Sequence, residues 1–140
     1  MDYKNIIIIG LVLLMLTVFG LLQALNFSFF KAPTAKINDK TFKLDVAKTD
    51  EKKQIGLSKF KSLPQDRGMI FLFDKPSLYS FWMKDMKFAI DIIYIRGDRV
   101  VTIYEDQKPT KDGTPGILTP SEPADKVLEI NAGLSQKYNI

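Results

Sequence analysis

The first 30 residues of this 140-residue chain constrain its fold most, because they contain one long apolar run. Between Asn5 and Leu25 the only polar side chains after Asn5 are Thr17 and Gln23. About 20 mostly apolar residues are enough for a helix to cross a hydrocarbon core about 30 Å thick. The pattern therefore predicts that residues 1–30 form an N-terminal transmembrane anchor.

A cleaved signal peptide is the alternative for this segment. Its apolar region is shorter, about 7 to 15 residues, and is followed by a cleavage site in which two small residues flank a third residue. The candidate pairs fit poorly, since one joins Leu22 to Ala24 and the other joins Pro33 to Ala35. We therefore expect the helix to stay uncleaved, as a single-pass anchor in the cell membrane.

Two signals for the orientation of the anchor oppose each other. The nearby lysines, Lys4 before the span and Lys31 and Lys36 after it, slightly favour a cytoplasmic C-terminal side. However, a first span with a short N-terminal tail usually acts as a signal anchor, which leaves the following domain outside the cytoplasm. We expect this second arrangement, with an extracytoplasmic domain.

Composition restricts the chemistry of that domain. The chain has no histidine and no cysteine, which excludes disulfides, the usual catalytic triads and the common zinc sites. No cofactor is expected. The net charge is +4 with acids interspersed among the lysines, and no basic stripe alternates with aromatic residues. A nucleic-acid partner is therefore not expected.

Residues 31–40 are predicted to be a juxtamembrane linker, and residues 41–140 a mostly-β domain, an open barrel or sandwich with one or two short helices. Alternating apolar side chains predict a first strand near Phe42, and Thr49 is expected to cap a short helix that ends near Gly56. The later predicted strands are GMIFLF, LYSFWM, FAIDIIYI, RVVTIY and KVLEIN, with DKPS as a turn, a long loop from Glu105 and a short closing helix or tail.

Asp91 is the one acid in an otherwise apolar predicted strand. A two-residue turn at 97–98 places Ile93 opposite Thr102 and Asp91 opposite Tyr104. A buried carboxylate must be paired, hydrogen-bonded or neutral, so the candidate partners are the hydroxyls of Thr102 and Tyr104 and the cations of Lys84 and Lys87. Asp91 is a strand-end acid that holds the preceding turn, a functional carboxylate, or simply an exposed residue.

Two weaker chemistries stay open. In KVLEIN, Glu129 has the position of an ordinary solvent-facing residue, but with Asp91 it would form an acid–base pair for glycoside hydrolysis if the carboxyl groups were about 5–10 Å apart. Thioethers suit copper(I), and Met69, Met83 and Met86 lie near Trp82 in sequence or in predicted strands. Methionine also fills core gaps beside aromatic rings, which is the better interpretation.

The segments GLSKFKSLPQDRGMIFLFDKPSLYSFWMKDMKFAIDIIYI and VLEINAG resemble the domain of unknown function 192 family. The resemblance implies a small, mostly-β fold, often exported or membrane-anchored in bacteria, and no established activity. The chain departs from the family at Asp85 and Met86, where members usually have Asn-Thr, and at Ala89, where they usually have Pro. The family positions to watch are Gly56, Gly68, Met69, Phe73, Trp82, Met83, Lys84, Asp91, Glu129 and Gly133.

A binding module is the leading functional hypothesis, and an enzyme is less favoured. Trp82 and Tyr79 combine large apolar area with a polar tip, which suits sugars and peptides. In an ideal strand the two rings point to opposite faces, which weakens a shared platform. An extracytoplasmic position makes an envelope glycan or an envelope protein the expected ligand. The predicted binding residues are Trp82, Met83, Lys84, Asp91, Tyr104 and Glu129.

Overall fold

The computed structural model describes residues 2–29, 32–110 and 116–140. The chain divides into two units, Met1–Ala32 and Pro33–Ile140. The first unit contains helix α1 (Tyr3–Phe29), of which Tyr3–Gln23 has a mean hydropathy of 2.7 and is long enough to cross a membrane. A signal sequence near an N-terminus has the same properties, so α1 is a candidate membrane span or signal sequence.

The second unit is built on an open, mixed sheet of six strands. Its elements are β1 (Thr34–Ile37), β2 (Lys40–Ala47), α2 (Asp50–Ile55), β3 (Arg67–Ser77), β4 (Phe81–Trp82), β5 (Ile90–Arg96), β6 (Arg99–Gln107), β7 (Ile117–Leu118), β8 (Ala124–Asn131) and α3 (Leu134–Lys137). The strand order is β1-β2-β3-β8-β5-β6, and β4 pairs with β7 in a separate ribbon. The mostly-β class is confirmed. Strand β1 lies within the segment that the sequence predicts as linker.

The sheet has an apolar cluster on each face. One cluster contains Phe71, Ile92 and Val127 and is covered by the segment that includes α2, so this face is called the α2 face. The other contains Leu128 and packs against the segment of α3, which makes it the α3 face. Because alternate residues of a strand point to opposite faces, the central strands β3, β8 and β5 contribute to both clusters.

Helix α2 connects β2 to β3, the one parallel pair in the sheet. The side chain of Thr49 accepts a hydrogen bond from the backbone N–H of Lys52 (3.3 Å), and acidic residues fill the first turn. Gly56 follows the helix with φ 50° and ψ −137°, a conformation that favours glycine. The predicted cap and the predicted end of this helix are confirmed.

The β5–β6 hairpin has the predicted tip, with Arg96 opposite Arg99. A register shift then inserts one extra residue in β6, so Ile92 lies opposite Tyr104 and Ile93 opposite Ile103. The predicted pair of Ile93 with Thr102 is therefore wrong by one residue, and the predicted pair of Asp91 with Tyr104 is wrong because Tyr104 pairs with Ile92. The cause is a β-bulge, which the spacing of apolar residues does not reveal.

Three other elements differ from the sequence-based expectation. The predicted turn DKPS continues β3 to Ser77. The predicted strand LYSFWM is regular only at Phe81–Trp82. The predicted long loop begins later, because β6 extends to Gln107, and it contains β7. Residues 111–115 of that loop lie outside the described residues.

Candidate binding pocket

A cavity of about 290 Å³ opens on the α2 face. Aromatic side chains form its walls: the rings of Phe73 and Tyr79 stack with centroids 3.6 Å apart, and Phe71 meets Phe81 edge-on at 4.8 Å. Trp82 lies at the rim with half of its surface exposed. The charged residues that line the cavity are Asp50, Lys53, Lys84 and Glu129.

Glu129 is the buried polar group of this pocket. Its strand, β8, lies between β3 and β5, so Met69 and Ile92 flank Glu129 on the same face. The residue is only 5 % exposed, and its Oε2 atom has no hydrogen-bond partner among the described residues. Burial raises the pKa of Glu129 to about 8.

The prediction that Glu129 faces solvent is wrong. That prediction treated KVLEIN as a strand with one face in water, whereas β8 is central and the segment after β2 covers this face. A Cβ atom built on Gly56 would lie 3.5 Å from Cζ of Phe71 and 4.0 Å from Oε2 of Glu129. The backbone that follows α2 therefore passes over the carboxyl group with no side chain between them.

Asp91 is also buried, with no exposed surface, but on the α3 face. Its Oδ1 atom accepts from the backbone N–H groups of Asp106 (2.9 Å) and Gly133 (3.1 Å). Its Oδ2 atom accepts from the backbone N–H and the hydroxyl of Ser135, at 2.8 and 2.7 Å. Asp91 therefore holds the turn that begins α3, and not the turn that precedes β5.

The hydroxyl donors predicted for Asp91 bind elsewhere. Tyr104 Oη donates to the carbonyl of Thr119 (2.6 Å), and the hydroxyl of Thr102 exchanges a hydrogen bond with that of Ser121 (2.8 Å). The register shift in the hairpin is the reason, because it moves both side chains away from Asp91. These contacts attach the segment before β8 to β6.

The structure brings together only half of the predicted binding residues. Trp82, Lys84 and Glu129 line the pocket, whereas Met83 is buried in the apolar cluster, and Tyr104 and Asp91 are not among the lining residues. Glu129 pairs in register with Ile92 and Asp91 pairs with Ile130, so the two carboxyl groups lie on opposite faces of the sheet. The acid–base pair that hydrolysis would need is not formed.

The sequence alone did not identify most of the pocket. The missed lining residues include Asp50, Lys53 and Ser58 from the segment of α2, with Phe71 and Phe81 as aromatic walls. A helix that connects two parallel neighbouring strands must cross one face of the sheet, so a parallel pairing of β2 with β3 would indicate that the segment of α2 covers a face. The strand patterns in the sequence do not reveal that pairing.

The methionines proposed for copper(I) belong to the apolar cluster of the α2 face. Met69 and Met83 are buried there, and Met86 packs against the same cluster. In the described residues, no group of three or more Asp and Glu side chains is arranged to hold a metal ion. The packing of these methionines in the apolar cluster needs no copper(I), and copper(I) binding by their thioethers stays a prediction.

Residues 33–140 match the model of a protein family whose description reads "Uncharacterized ACR", the DUF192 family. The chain belongs to the DUF192 family. The resemblance carried by the sequence segments is thereby confirmed. No curated protein matches the chain significantly.

Two solved structures are similar to this DUF192 chain. A protein of unknown function from Novosphingobium aromaticivorans DSM 12444 is 30% identical, with a TM-score of 0.68 and 76% of each chain covered. A proposed transcription regulator from Sinorhizobium meliloti 1021 is 27% identical, with a TM-score of 0.66; the match covers 71% of this chain and 76% of that one. The fold is therefore shared with bacterial relatives.

Proposed function

We propose that this DUF192 chain is a membrane-anchored, extracytoplasmic binding module that takes an envelope glycan in the pocket of the α2 face. The observation that carries the proposal is the buried carboxyl group of Glu129, a residue that lines an aromatic-walled cavity and whose Oε2 atom has no hydrogen-bond partner among the described residues. Buried polar atoms are almost always hydrogen-bonded to protein or to ordered water, so an unpartnered one beside a cavity supports the proposal that a ligand contacts it there.

The walls favour a saccharide. A sugar ring has apolar C–H faces and polar edges, and aromatic side chains offer matching apolar surface. Phe73 and Tyr79 are stacked, and Lys53 Nζ lies 4.5 Å from the ring centroid of Phe73, which fixes that wall. A cavity of about 290 Å³ admits one sugar unit, and it is small for an extended surface of an envelope protein.

Trp82 gives the test of glycan binding. The full-length chain in detergent is titrated with solubilised cell-wall glycan fragments by calorimetry. Because Trp82 lines the pocket and is half exposed, Trp82→Ala should weaken binding at least tenfold without unfolding the domain. Val100→Ala is the matched control, an exposed apolar side chain outside the pocket that should leave binding unchanged. Equal affinities for the wild type and Trp82→Ala would exclude this pocket as the glycan site.

The extracytoplasmic position has its own test, because the chain contains no cysteine. Asp98→Cys places a single thiol at the exposed tip of the β5–β6 hairpin, and Asp2→Cys places one before α1. A membrane-impermeant maleimide on intact cells should label the Asp98→Cys variant and spare the Asp2→Cys variant until the membrane is opened. The reverse pattern would show that the domain faces the cytoplasm.

A further inference from the structure

Glu129 differs from an ordinary binding carboxylate in the groups that surround it. None of the ion pairs among the described residues includes Glu129, and its Oε2 atom has no hydrogen-bond partner. An ionised carboxylate that is buried without donors is strongly destabilised, whereas the neutral acid avoids this cost and carries an O–H group. The geometry therefore favours a carboxylic acid in the pocket.

We propose that Glu129 acts in its neutral form as a hydrogen-bond donor that recognises the acetamido carbonyl of an N-acetylated sugar. This inference rests on the proposed function of the pocket and names the class of glycan that it takes. It assigns Glu129 a role as a ligand-contacting residue and involves no bond cleavage.

An acetamido group matches both the O–H donor of Glu129 and the apolar walls of the pocket. Its carbonyl oxygen accepts a hydrogen bond from the O–H of Glu129, and its methyl group finds apolar surface on Phe71 and Phe81. A free amino sugar is a cation instead, and it would need an ionised partner. The other charged groups that line the pocket are Lys53, Lys84 and Asp50, so the lysines oppose entry of such a cation.

The groups that face Glu129 determine how this recognition depends on pH. Helix α2 contributes Asp50 and Lys53, the turn after β4 contributes Lys84, and β5 contributes Tyr94. Burial raises the pKa of Tyr94, and its hydroxyl donates to the carbonyl of Leu118 (2.8 Å). The pKa of Glu129 is raised to about 8, so Glu129 titrates before Tyr94. Above that pH the carboxylate has no proton to donate to a carbonyl.

The test compares two saccharides that differ only in acetylation, triacetylchitotriose and deacetylated chitotriose, with the full-length chain in detergent. The acetylated sugar should bind at about pH 6 and lose affinity at least tenfold by about pH 9.5. The deacetylated sugar should bind at least tenfold more weakly at about pH 6. Calorimetry measures both affinities, and the fluorescence of Trp82 at each pH checks that the fold is retained.

Two substitutions isolate the donor at residue 129. Glu129→Gln keeps an N–H donor that does not titrate, so it should bind the acetylated sugar at both pH values. Glu129→Leu has similar volume and no donor, so it should bind at least tenfold more weakly at about pH 6. If Glu129→Leu does not fold, the binding measured over the pH series for the wild type and for Glu129→Gln still tests the donor role of Glu129.

The outcomes separate the inference from the function on which it rests. Equal binding of the acetylated sugar at both pH values, or tighter binding of the deacetylated sugar, would overturn the donor role while leaving a glycan pocket in place. Equal binding by Glu129→Leu and Glu129→Gln would also overturn it. No binding of either sugar, together with no binding of other cell-wall fragments, would overturn both the inference and the proposed function.

Discussion

Asp91 and Glu129 are two carboxyl groups on neighbouring central strands, and both are almost fully buried. Asp91 accepts four hydrogen bonds from Asp106, Gly133 and Ser135. Glu129 lines a cavity, and its Oε2 atom has no hydrogen-bond partner in the part of the chain that the structure describes. The difference indicates that the protein uses Asp91 to hold its own chain, whereas the carboxyl group of Glu129 has no such role among the described residues, and we propose that it contacts a ligand.

The position of each residue along its strand explains the contrast. Asp91 lies near the start of β5, beside the turn into α3, where backbone N–H groups have no partner within the helix. Glu129 lies inside β8, between β3 and β5, where the neighbouring backbone N–H groups serve the sheet. A carboxyl group that is buried at the end of a strand therefore lies near free backbone N–H donors, whereas one that is buried inside a sheet does not.

The largest expected effect comes from removing the acceptor at Asp91. Asp91→Ala leaves three backbone N–H groups and the hydroxyl of Ser135 without their partner, so the free energy of unfolding should fall by about 3 to 5 kcal/mol. Urea unfolding of the full-length chain, followed by Trp82 fluorescence, measures this loss. Asp74→Ala, at an exposed position of β3, is the control and should change stability little. A loss below about 1 kcal/mol for Asp91→Ala would contradict the structural role.

Glu129 should make stability depend on pH. Its pKa is about 8 in the folded protein, against 4.5 as the ordinary value, so the unfolded chain loses this proton first as the pH rises. The stabilisation is complete below about pH 4.5, decreases through the window up to about pH 8 and changes no further above it. Glu129→Gln lacks this titration.

The measurement is the difference in unfolding free energy between Glu129→Gln and the wild type, in urea at several pH values. The difference should grow in favour of Glu129→Gln by about 2 kcal/mol between about pH 6 and about pH 7.5. A constant difference over that range would show that Glu129 is ionised in the folded protein, as an ordinary glutamate is.

Alanine substitutions at Gly56 and Gly97 separate the effect of backbone strain from the effect of filling the pocket. Both Gly56 and Gly97 have positive φ, 50° and 61°, but only Gly56 lies near Phe71 and Glu129. Alanine should cost about 1 to 2 kcal/mol at either position, because L residues rarely adopt such backbone angles. Only Gly56→Ala should also weaken glycan binding, since its methyl group would contact the wall and the carboxyl group. If both variants bound glycan as well as the wild type, the pocket would not include this backbone.

The smallest effect on stability is expected at Trp82. Because about half of this side chain is exposed, Trp82→Ala should lower the free energy of unfolding by less than about 1 kcal/mol. Circular dichroism during urea unfolding gives this value without the tryptophan signal. A loss of about 3 kcal/mol or more would make Trp82 a core residue and weaken its assignment to the ligand.

The sequence predicted some local elements correctly and the tertiary contacts poorly. Capping at Thr49 and the hairpin tip at Gly97 depend on neighbouring residues, and both were correct. The environments of Asp91 and Glu129 depend on strand order and on a bulge in β6, which arise from contacts between distant segments. A strand of alternating residues looks the same at a sheet edge and at its centre, so Glu129 was predicted to face solvent.

The central claim is that the carboxyl group of Glu129 stays neutral near pH 7, because it is buried and its Oε2 atom has no hydrogen-bond donor within residues 2–29, 32–110 and 116–140. Carbon-13 NMR of the side-chain carboxyl groups in the full-length chain tests this claim most directly, with Glu129→Gln to assign the resonance. The account predicts that this resonance titrates near pH 8. Titration near pH 4.5 would contradict it, because the carboxyl group would then be ionised and already satisfied by the protein or by water.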